Sequence, residues 1–392
     1  MRVLLLCLIL LLMIFKCTDT QNMPAPAEEP EIYCVTKELA GRIAAALDDR
    51  QLAAQVIITG IDGKGTLPLH MQALLTECPT GGIMLFRYNL DTDTEAIQNL
   101  LAETVTLIAS ESVIPFAGVD HEGGTVNRFR RGVADMPSAA SYWEIAENEG
   151  KETALMHINT DSVNAGLAIK HLGINMNFAP VAEHLTEDNY DFLQDRSYGP
   201  DPVFAAEAAG AFITGMNQTG VLCVIKHFPG SAGTDPHYFS SVLPGDRDAL
   251  TALAAPFAAL IEKGLAQAIM ISHSAVPALD NEHIASLSPV VMDEWLRQEL
   301  GFAGIIICDD FSMAAASSPP PAGGKGHSPE AAAVRSLIAG ADMVLVWPPD
   351  LRRTHNAIQA ALADGTLPRE RLQEAAERII LEKIQMGLIS EE

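Results

Sequence analysis

Short apolar, β-branched segments alternate with longer segments of helical period from about residue 50 onward. Strands buried on both faces of a parallel sheet have continuous apolar sequences, whereas helices repeat their apolar residues every three or four positions. Eight apolar segments are predicted to be strands: QVIITG (55–60), GGIMLF (81–86), PFAGVD (115–120), INMNFAP (174–180), VLCVIKHF (221–228), AIMISHS (268–274), GIIICDD (304–310) and DMVLVW (342–347). Segments such as TEAIQNLLAETVTLIA between them are predicted to be helices, so the pattern indicates parallel βα units.

Eight strands separated by helices over about 330 residues predict an α/β fold, a (β/α)8 barrel of the TIM type. A doubly wound open sheet is the alternative. No second domain is expected after the last helical segment, so we predict one catalytic barrel domain over residues 31–392. The low-complexity segment AAASSPPPAGGKG (314–326) follows the seventh strand and is predicted to be a mobile loop.

The N-terminus carries an apolar run from Val3 to Phe15, preceded by Arg2 and followed by Lys16 and Cys17. A membrane-spanning helix needs about 20 apolar residues, so this shorter run is more typical of a signal peptide. We therefore expect residues 1–30 to be a signal or lipoprotein-type leader and linker, and the protein to be exported to the periplasm or cell envelope. Membrane attachment would follow if Cys17 carries a lipid, although Lys16 fits the usual lipoprotein signal poorly. An uncleaved signal anchor is the alternative.

The formal net charge of −25 and the lack of a basic segment argue against nucleic acid as a partner. The six cysteines show no CxxC spacing, so neither a zinc site nor a redox motif is predicted. The first strand lacks a His-x-His pair for a catalytic metal, and no Gly-rich turn for phosphate follows the eighth strand. We therefore expect neither a metal nor an organic cofactor.

Polar residues follow most of the predicted strands. The C-terminal ends of barrel strands converge on one face, where such residues form the active site of TIM barrels. These residues are Asp120, His121, Glu122, Glu183, Arg196, Lys226, His227, His273, Asp309, Asp310 and Trp347. Taken singly, each has a structural explanation: Glu122 before Gly123-Gly124 could start a turn, and His273 could be a hydrogen-bonded core histidine. Their convergence indicates a site, because burying this many ionisable groups is costly.

Glycoside hydrolysis is the chemistry that this set of residues fits best. It needs one carboxylate at the anomeric carbon and a proton donor for the leaving oxygen. Asp309 ends an apolar strand and can be the carboxylate. Asp235 and His237 lie two residues apart in a loop rich in Gly and Ser, so the carboxylate could accept the imidazole N–H and orient the ring. Imidazole groups exchange protons near neutral pH, as a general acid/base should.

Several segments together resemble glycoside hydrolase family 3, and specifically its β-N-acetylglucosaminidases of bacterial cell-wall turnover. They are GGIMLFRYN, GVDHEGGTVNRF, NFAP, DRSYGPDP, IKHFPG, TDPH, ASLSPVVMDEWLRQELGFAGIIICDDFSM and AGADMVLV. The resemblance spans about residues 50–387. It implies a retaining exo-β-N-acetylglucosaminidase that removes terminal β-linked N-acetylglucosamine from peptidoglycan fragments or chitooligosaccharides through a covalent glycosyl-enzyme. It also implies a carbohydrate substrate as partner and no cofactor. We expect the protein to be a monomer.

The resemblance assigns roles to individual residues. Asp309 matches the nucleophile, and His237, assisted by Asp235, matches the acid/base. An Asp-x-His pair of this kind separates the hexosaminidases from the β-glucosidases of the family. The positions that hydrogen-bond the sugar hydroxyls are matched by Asp120, Arg128, Arg196, Lys226 and His227.

The sequence departs from the family pattern around these residues. The loop FPGSAGTDPH is shorter than usual and carries Ser231-Ala232 in place of His-Gly, while Cys308 replaces a Ser or Thr and Thr125 replaces an Arg. Two alternatives therefore stay open. One is a catalytically weakened, sugar-binding envelope lipoprotein. The other is a different family 3 specificity, either β-glucosidase or phosphorylase.

Overall fold

The computed structural model describes residues 31–129, 133, 135–317 and 326–390. The strands in these ranges are, in chain order, β1 (Ile57–Gly60), β2 (Gly82–Leu85), β3 (Phe116–Val119), β4 (Met176–Asn177), β5 (Leu222–Phe228), β6 (Ala268–Ile271), β7 (Ala275–Val276), β8 (Asp280–Ile284), β9 (Ile305–Asp310) and β10 (Met343–Val346). Eight of them close into a parallel barrel in the order β1-β10-β9-β6-β5-β4-β3-β2. This closure confirms the predicted (β/α)8 barrel and excludes the open sheet.

Helices surround the barrel. Along the described residues they are α1 (Glu31–Ala46), α2 (Asp49–Gln55), α3 (Leu69–Glu77), α4 (Arg87–Leu90), α5 (Thr94–Ala109), α6 (Ala139–Glu149), α7 (Lys151–His171), α8 (Tyr190–Leu193), α9 (Pro202–Asn217), α10 (Arg247–Leu253), α11 (Ala255–Glu262), α12 (Pro329–Ala339), α13 (Pro348–Asp364) and α14 (Arg369–Gln385). Two 3-10 helices (Gln194–Arg196 and Ala285–Leu287) and a π-helix (Val290–Glu299) complete the helical segments described. Side chains of Asp48, Asp93 and Asp246 cap helix N-termini, as their sequence positions favour.

The strands form the core because they are apolar on both faces. All residues of β1, β2, β3 and β6 are buried, as expected for a sheet enclosed by helices on one face and by its own interior on the other. Outside the barrel, α7 packs against α9, and α1 packs against α14. None of the helices in the described ranges has the length and apolar composition needed to cross a bilayer. The predicted leader (1–30) and residues 318–325 of the predicted mobile loop lie outside the described residues.

Two strands were not predicted. The segment AIMISHS contributes only Ala268–Ile271 to the barrel, and β7 begins four residues later as half of an antiparallel pair with β8. Its partner has the polar sequence DNEHI, which lacks the alternation typical of a strand. The β4 strand is also shorter than predicted, because side chains replace part of its ladder. The Asn175 carboxamide oxygen accepts the N–H of Ala117, and the Asn177 carboxamide bonds both the N–H and the carbonyl of His121.

Irregular pairing occurs at two points of the barrel ladder, and both coincide with predicted site residues. Cys308 and then Asp310 pair with consecutive residues of β10, so Asp309 is an extra residue in β9. Where β5 pairs with β6, the extra residue falls within Lys226–His227. A β-bulge of this kind changes the direction of a side chain and is common at barrel rims beside active sites. The bulges explain how strand residues that follow buried apolar runs are presented at the barrel mouth.

Candidate active site

A cavity of about 300 Å³ opens at the C-terminal end of the barrel strands. Its lining consists of Met84, Phe86, Asp120, Glu122, Val126, Arg128, Phe178, Phe192, Arg196, Lys226, His227, Pro236, His237, Met270, Asp309, Asp310, Ser312, Met313, Leu345 and Trp347. Seven of the eight residues predicted from the sequence line it, and the eighth, Asp235, is bonded to His237. The structure therefore brings together the eight residues to which the sequence analysis assigned a role.

A cluster of five charged side chains forms one wall of the cavity. We call it the upper ionic cluster; it consists of Asp120, Glu122, Arg128, Arg196 and Lys226. The Lys226 ammonium contacts both Asp120 and Glu122, the latter at 2.6 Å. Arg196 donates through Nε and Nη2 to the two carboxylate oxygens of Glu122, at 2.8 and 2.9 Å. Arg128 contacts the second oxygen of Asp120.

The cluster keeps its carboxylates ionised. Burial alone would raise the pKa of Asp120, but the neighbouring Lys226 and Arg128 hold this pKa well below its usual range. Glu122 behaves in the same way: Arg196 and Lys226 outweigh both its burial and the nearby Asp120, and its pKa is lowered. Fixed charges of both signs therefore face the cavity, and such groups suit the donor and acceptor sites of a sugar's hydroxyl groups.

Glu183 fixes the position of His227. One oxygen of its fully buried carboxylate lies 2.8 Å from Nδ1 of His227, 3.1 Å from the backbone nitrogen of the same residue and 3.1 Å from the Ser231 hydroxyl. Because the Glu183 carboxylate can only accept a hydrogen bond, Nδ1 of His227 carries the proton. The position of the ring then fixes the direction of Nε2. Ser231, one of the departures from the family pattern, thus takes part in this network.

Asp309 and Asp310 end β9 side by side, and both are half-buried. The Asp309 carboxylate accepts the N–H of Asp310 at 2.8 Å, and the Asp310 carboxylate accepts the N–H and hydroxyl of Ser312 at 2.8 and 2.6 Å. Burial raises the pKa of Asp310 to about 6.

His273 supports the end of β9 from within the core. Its Nε2 donates to the Asp310 carbonyl at 3.0 Å, and its Nδ1 lies 2.7 Å from the Ser286 hydroxyl oxygen. Since burial lowers its pKa, His273 is a neutral core residue that supports the end of this strand.

The Asp235 carboxylate holds His237 through two hydrogen bonds. One oxygen accepts the backbone N–H of His237 at 2.9 Å and lies 2.7 Å from its Nδ1. With Nδ1 donating to the carboxylate, Nε2 is the atom that can exchange a proton with a ligand in the cavity. The loop is also attached to the segment after β9: the carbonyls of Pro236 and His237 accept the N–H groups of Ala315 and Ala314, at 3.1 and 3.3 Å.

Sequence reasoning assigned no role to several groups that build the site, although it had placed some of them at the strand ends. Glu122 and Glu183 follow predicted strands, so their positions were visible, but only the structure reveals that they pair with Arg196 and His227. The sequence placed Trp347 at a strand end but did not reveal an aromatic wall: the rings of Phe86 and Trp347 stack with centroids 4.5 Å apart. Both residues stand directly after a barrel strand, and this position was the available signal.

In the described part of the chain, no group of three or more His, Cys, Asp or Glu side chains is arranged to hold a metal ion.

Comparison with known proteins identifies the family. Residues 54–381 match the glycosyl hydrolase family 3 N-terminal domain. A β-hexosaminidase from Idiomarina loihiensis is 34% identical over 293 residues, which cover 73% of this chain and 82% of that protein. The β-hexosaminidase LpqI from Mycobacterium tuberculosis is 29% identical over 346 residues, covering 86% and 83% of the two chains.

Solved structures agree with this assignment. A glycoside hydrolase family 3 β-N-acetylglucosaminidase from Paenibacillus sp. FPU-7 superposes with a TM-score of 0.79 at 28% identity over 88% of this chain. The match spans 64% of that longer chain. The family match covers most of the sequence and the barrel carries the predicted residues at its mouth; the chain belongs to glycoside hydrolase family 3.

Proposed function

We propose that this glycoside hydrolase is a retaining exo-β-N-acetylglucosaminidase. The observation that carries the proposal is the position of His237 and Asp309 on one cavity, with Asp235 bonded to the imidazole. The β-hexosaminidases among its relatives support N-acetylglucosamine as the sugar. The alternative of a sugar-binding protein without activity is not favoured, because nucleophile, acid/base and its supporting carboxylate are all present.

The reaction proceeds in two steps. A carboxylate oxygen of Asp309 attacks the anomeric carbon and forms a C–O bond, while the bond to the leaving oxygen breaks and that oxygen takes the proton from Nε2 of His237. In the second step, Nε2 removes a proton from a water molecule, whose oxygen attacks the anomeric carbon and releases Asp309 as a carboxylate. The imidazole is neutral after it gives up its proton, so it does not repel the anionic nucleophile.

The upper ionic cluster binds the sugar in this proposal. Asp120 and Glu122 accept hydrogen bonds from hydroxyl groups, and Arg128, Arg196 and Lys226 donate to them. His227, held by Glu183, contributes its Nε2. A cavity of about 300 Å³ accommodates a single pyranose rather than a long glycan segment. The enzyme therefore acts on the non-reducing end of peptidoglycan fragments or chitooligosaccharides.

Export is part of the proposal and rests on the leader alone. The apolar run from Val3 to Phe15 directs the protein to the periplasm or cell envelope, and lipid on Cys17 would attach it to the membrane. Fractionation of cells that produce the wild type and Cys17→Ala tests both points. Release of only the variant from membranes supports the lipid, and a cytoplasmic wild-type protein contradicts export.

The activity is tested with p-nitrophenyl N-acetyl-β-glucosaminide and a panel of other aryl glycosides. We expect the wild type to prefer the N-acetylglucosaminide and to release the β-anomer first, as seen by NMR. Asp309→Ala should lose at least about 1,000-fold in kcat while keeping its circular dichroism spectrum. An activated 5-fluoro derivative of the sugar should give a covalent adduct that peptide mapping locates on Asp309.

Three further results would separate the alternatives. If inorganic phosphate raised the rate and gave a sugar 1-phosphate, the enzyme would be a phosphorylase. If an aryl glucoside were the better substrate, the proposed sugar would be wrong. Sugar binding without turnover of any glycoside in the panel would contradict the enzymatic proposal itself.

A further inference from the structure

Two large aromatic side chains directly follow His237 and point into solvent. Tyr238 is 73% exposed and Phe239 is 62% exposed, more than any other aromatic residue in the described part of the chain. Aromatic side chains normally bury a large apolar area, so an exposed adjacent pair beside an active-site residue suggests a binding surface. The reaction steps above leave these two residues without a role.

The local backbone fixes the pair relative to the acid/base. The N–H groups of Tyr238 and Phe239 both donate to the carbonyl of Asp235, at 3.1 and 3.0 Å. The rings of His237 and Tyr238 have centroids 6.4 Å apart, and those of Tyr238 and Phe239 are 6.5 Å apart. We call these two rings the aromatic platform. One turn therefore carries the proton donor and the platform, and the turn is attached to the segment after β9 through the carbonyls of Pro236 and His237.

The platform's position follows from the role of His237 and thus rests on the proposed function. Nε2 of His237 must lie within hydrogen-bond distance of the leaving oxygen when that oxygen is protonated. Whatever is attached to this oxygen extends out of the cavity on the His237 side. The Tyr238 ring is the nearer one, with its centroid 6.4 Å from that of the His237 imidazole. A second sugar joined through the leaving oxygen can therefore reach the Tyr238 ring.

We propose that Tyr238 and Phe239 form a subsite for the leaving-group sugar of a β-linked N-acetylglucosamine disaccharide unit. A pyranose has a face of C–H groups that packs on an aromatic ring, while its hydroxyl groups stay in water at the edges. The platform offers such an apolar surface next to His237, which itself lines a cavity that takes one sugar. The subsite would make the enzyme prefer a sugar over a small leaving group, independently of the interactions made by the terminal N-acetylglucosamine.

The test compares two leaving groups. N,N′-diacetylchitobiose leaves a sugar ring, whereas β-N-acetylglucosaminyl azide leaves a group too small to reach the platform. Tyr238→Ala and Phe239→Ala should each lower kcat/KM for the disaccharide by about fivefold to tenfold and change the value for the azide by less than about twofold. Tyr238→Phe keeps the ring and should therefore keep the wild-type kcat/KM for the disaccharide. Met156→Ala, on the exposed face of α7 with 60% exposure of the native side chain, is the matched control and should change neither value.

The outcomes distinguish the two proposals. Equal losses on both substrates would mean that the rings only support the His237 loop, and unchanged values on both would mean that the leaving sugar does not contact them; either result overturns the subsite. A wild-type enzyme that cleaves neither substrate would instead refute the proposed function. Thermal unfolding of each variant checks that a loss of activity is not a loss of folded protein.

Discussion

The barrel carries two buried ionic clusters, one at each end. The upper ionic cluster lies at the C-terminal ends of the strands, and a lower ionic cluster surrounds Asp342 at the N-terminal end of β10. The lower cluster consists of Asp342, Arg297, Arg371 and Arg378. Both bring arginines to a buried carboxylate, yet their hydrogen bonds differ.

The lower cluster directs its donors to backbone carbonyls. Arg297 donates to the carbonyls of Phe302 and Gly304, which precede β9, and Arg371 donates to those of Gly340 and Ala341, which precede β10. Asp342 itself accepts the N–H of Ile306 in β9 at 2.9 Å. Burial of Asp342 favours the neutral acid, but the three arginines outweigh it and lower its pKa. The lower cluster therefore ties the beginnings of two neighbouring strands to the π-helix and α14.

The upper cluster directs its donors to side chains that face a cavity. Lys226 joins Asp120 to Glu122, and both carboxylates line the cavity where a ligand would bind. Similar ion pairs thus have different functions. Where the arginines also bond backbone carbonyls, the cluster stabilises the fold; where the charged side chains line a cavity, the cluster can bind a ligand. The comparison teaches that burial of charge alone does not identify a functional site; the partners of the charge do.

The largest expected effect is on stability, from Asp342→Ala in the lower cluster. Three guanidinium groups would lose their carboxylate, and breaking a buried ion pair in this way costs about 3–5 kcal/mol. Urea unfolding at neutral pH measures the loss, and kcat/KM of the folded fraction should stay within about twofold of the wild type. Asp248→Ala, an exposed carboxylate on α10, is the control and should change the free energy of unfolding by less than about 0.5 kcal/mol. A stable Asp342→Ala variant would contradict the structural role.

The next effect is on activity, from Asp120→Asn in the upper cluster. The carboxamide keeps the shape of the side chain but removes the charge that Lys226 and Arg128 contact. We expect kcat/KM on the aryl N-acetylglucosaminide to fall about 100-fold to 1,000-fold, as removal of a charged group that positions substrate commonly does. The free energy of unfolding should change less than in Asp342→Ala, since Glu122 still pairs with Lys226. If Asp120→Asn lost stability but not activity, the division between the clusters would be wrong.

The sequence predicted which residues lie at the strand ends better than it predicted which side chains they pair with. A buried apolar run fixes a strand, and the polar residue that follows it must lie at the barrel mouth; this reasoning placed Asp120, Lys226 and Asp309. It did not find that Glu122 pairs with Arg196, because the two are 74 positions apart and Gly123-Gly124 made a turn the simpler interpretation.

The β7–β8 pair was hidden for a related reason. Its DNEHI strand is polar, and local carboxylate bonds help to form it: Asp280 accepts the N–H groups of Glu282 and His283 at 2.8 and 3.0 Å. The period of apolar residues shows which face of a helix or strand is buried. The β7–β8 pair and the Glu122–Arg196 pair instead depend on hydrogen bonds from side chains to the backbone or to residues far away in the sequence. Contacts of that kind carry no periodic signal.

The smallest expected effect comes from Lys383, which lies near the lower end and has no counter-ion among the described residues. Its side chain in α14 is fully buried, donates to the Gln55 carboxamide oxygen at 2.8 Å and lies 4.8 Å from the centre of the Phe116 ring. Burial lowers its pKa from 10.5 to about 7. The folded protein therefore binds this proton more weakly than the unfolded chain does, and stability should rise as the pH increases from about 7 to about 10. Below pH 7 the cost of charging the buried amine is present in full.

Lys383→Met isolates that cost, because it keeps a long unbranched side chain and removes the titrating group. We expect the variant to be more stable than the wild type by roughly 1–2 kcal/mol at about pH 6, with the difference shrinking towards about pH 10. Urea unfolding at several pH values measures it, and activity should not change because the residue lies at the end opposite the cavity. A constant difference at all pH values would show that Lys383 is not titrating in the folded protein. The contrast with Asp342 would then rest on packing rather than on whether a buried charge has a partner of opposite sign.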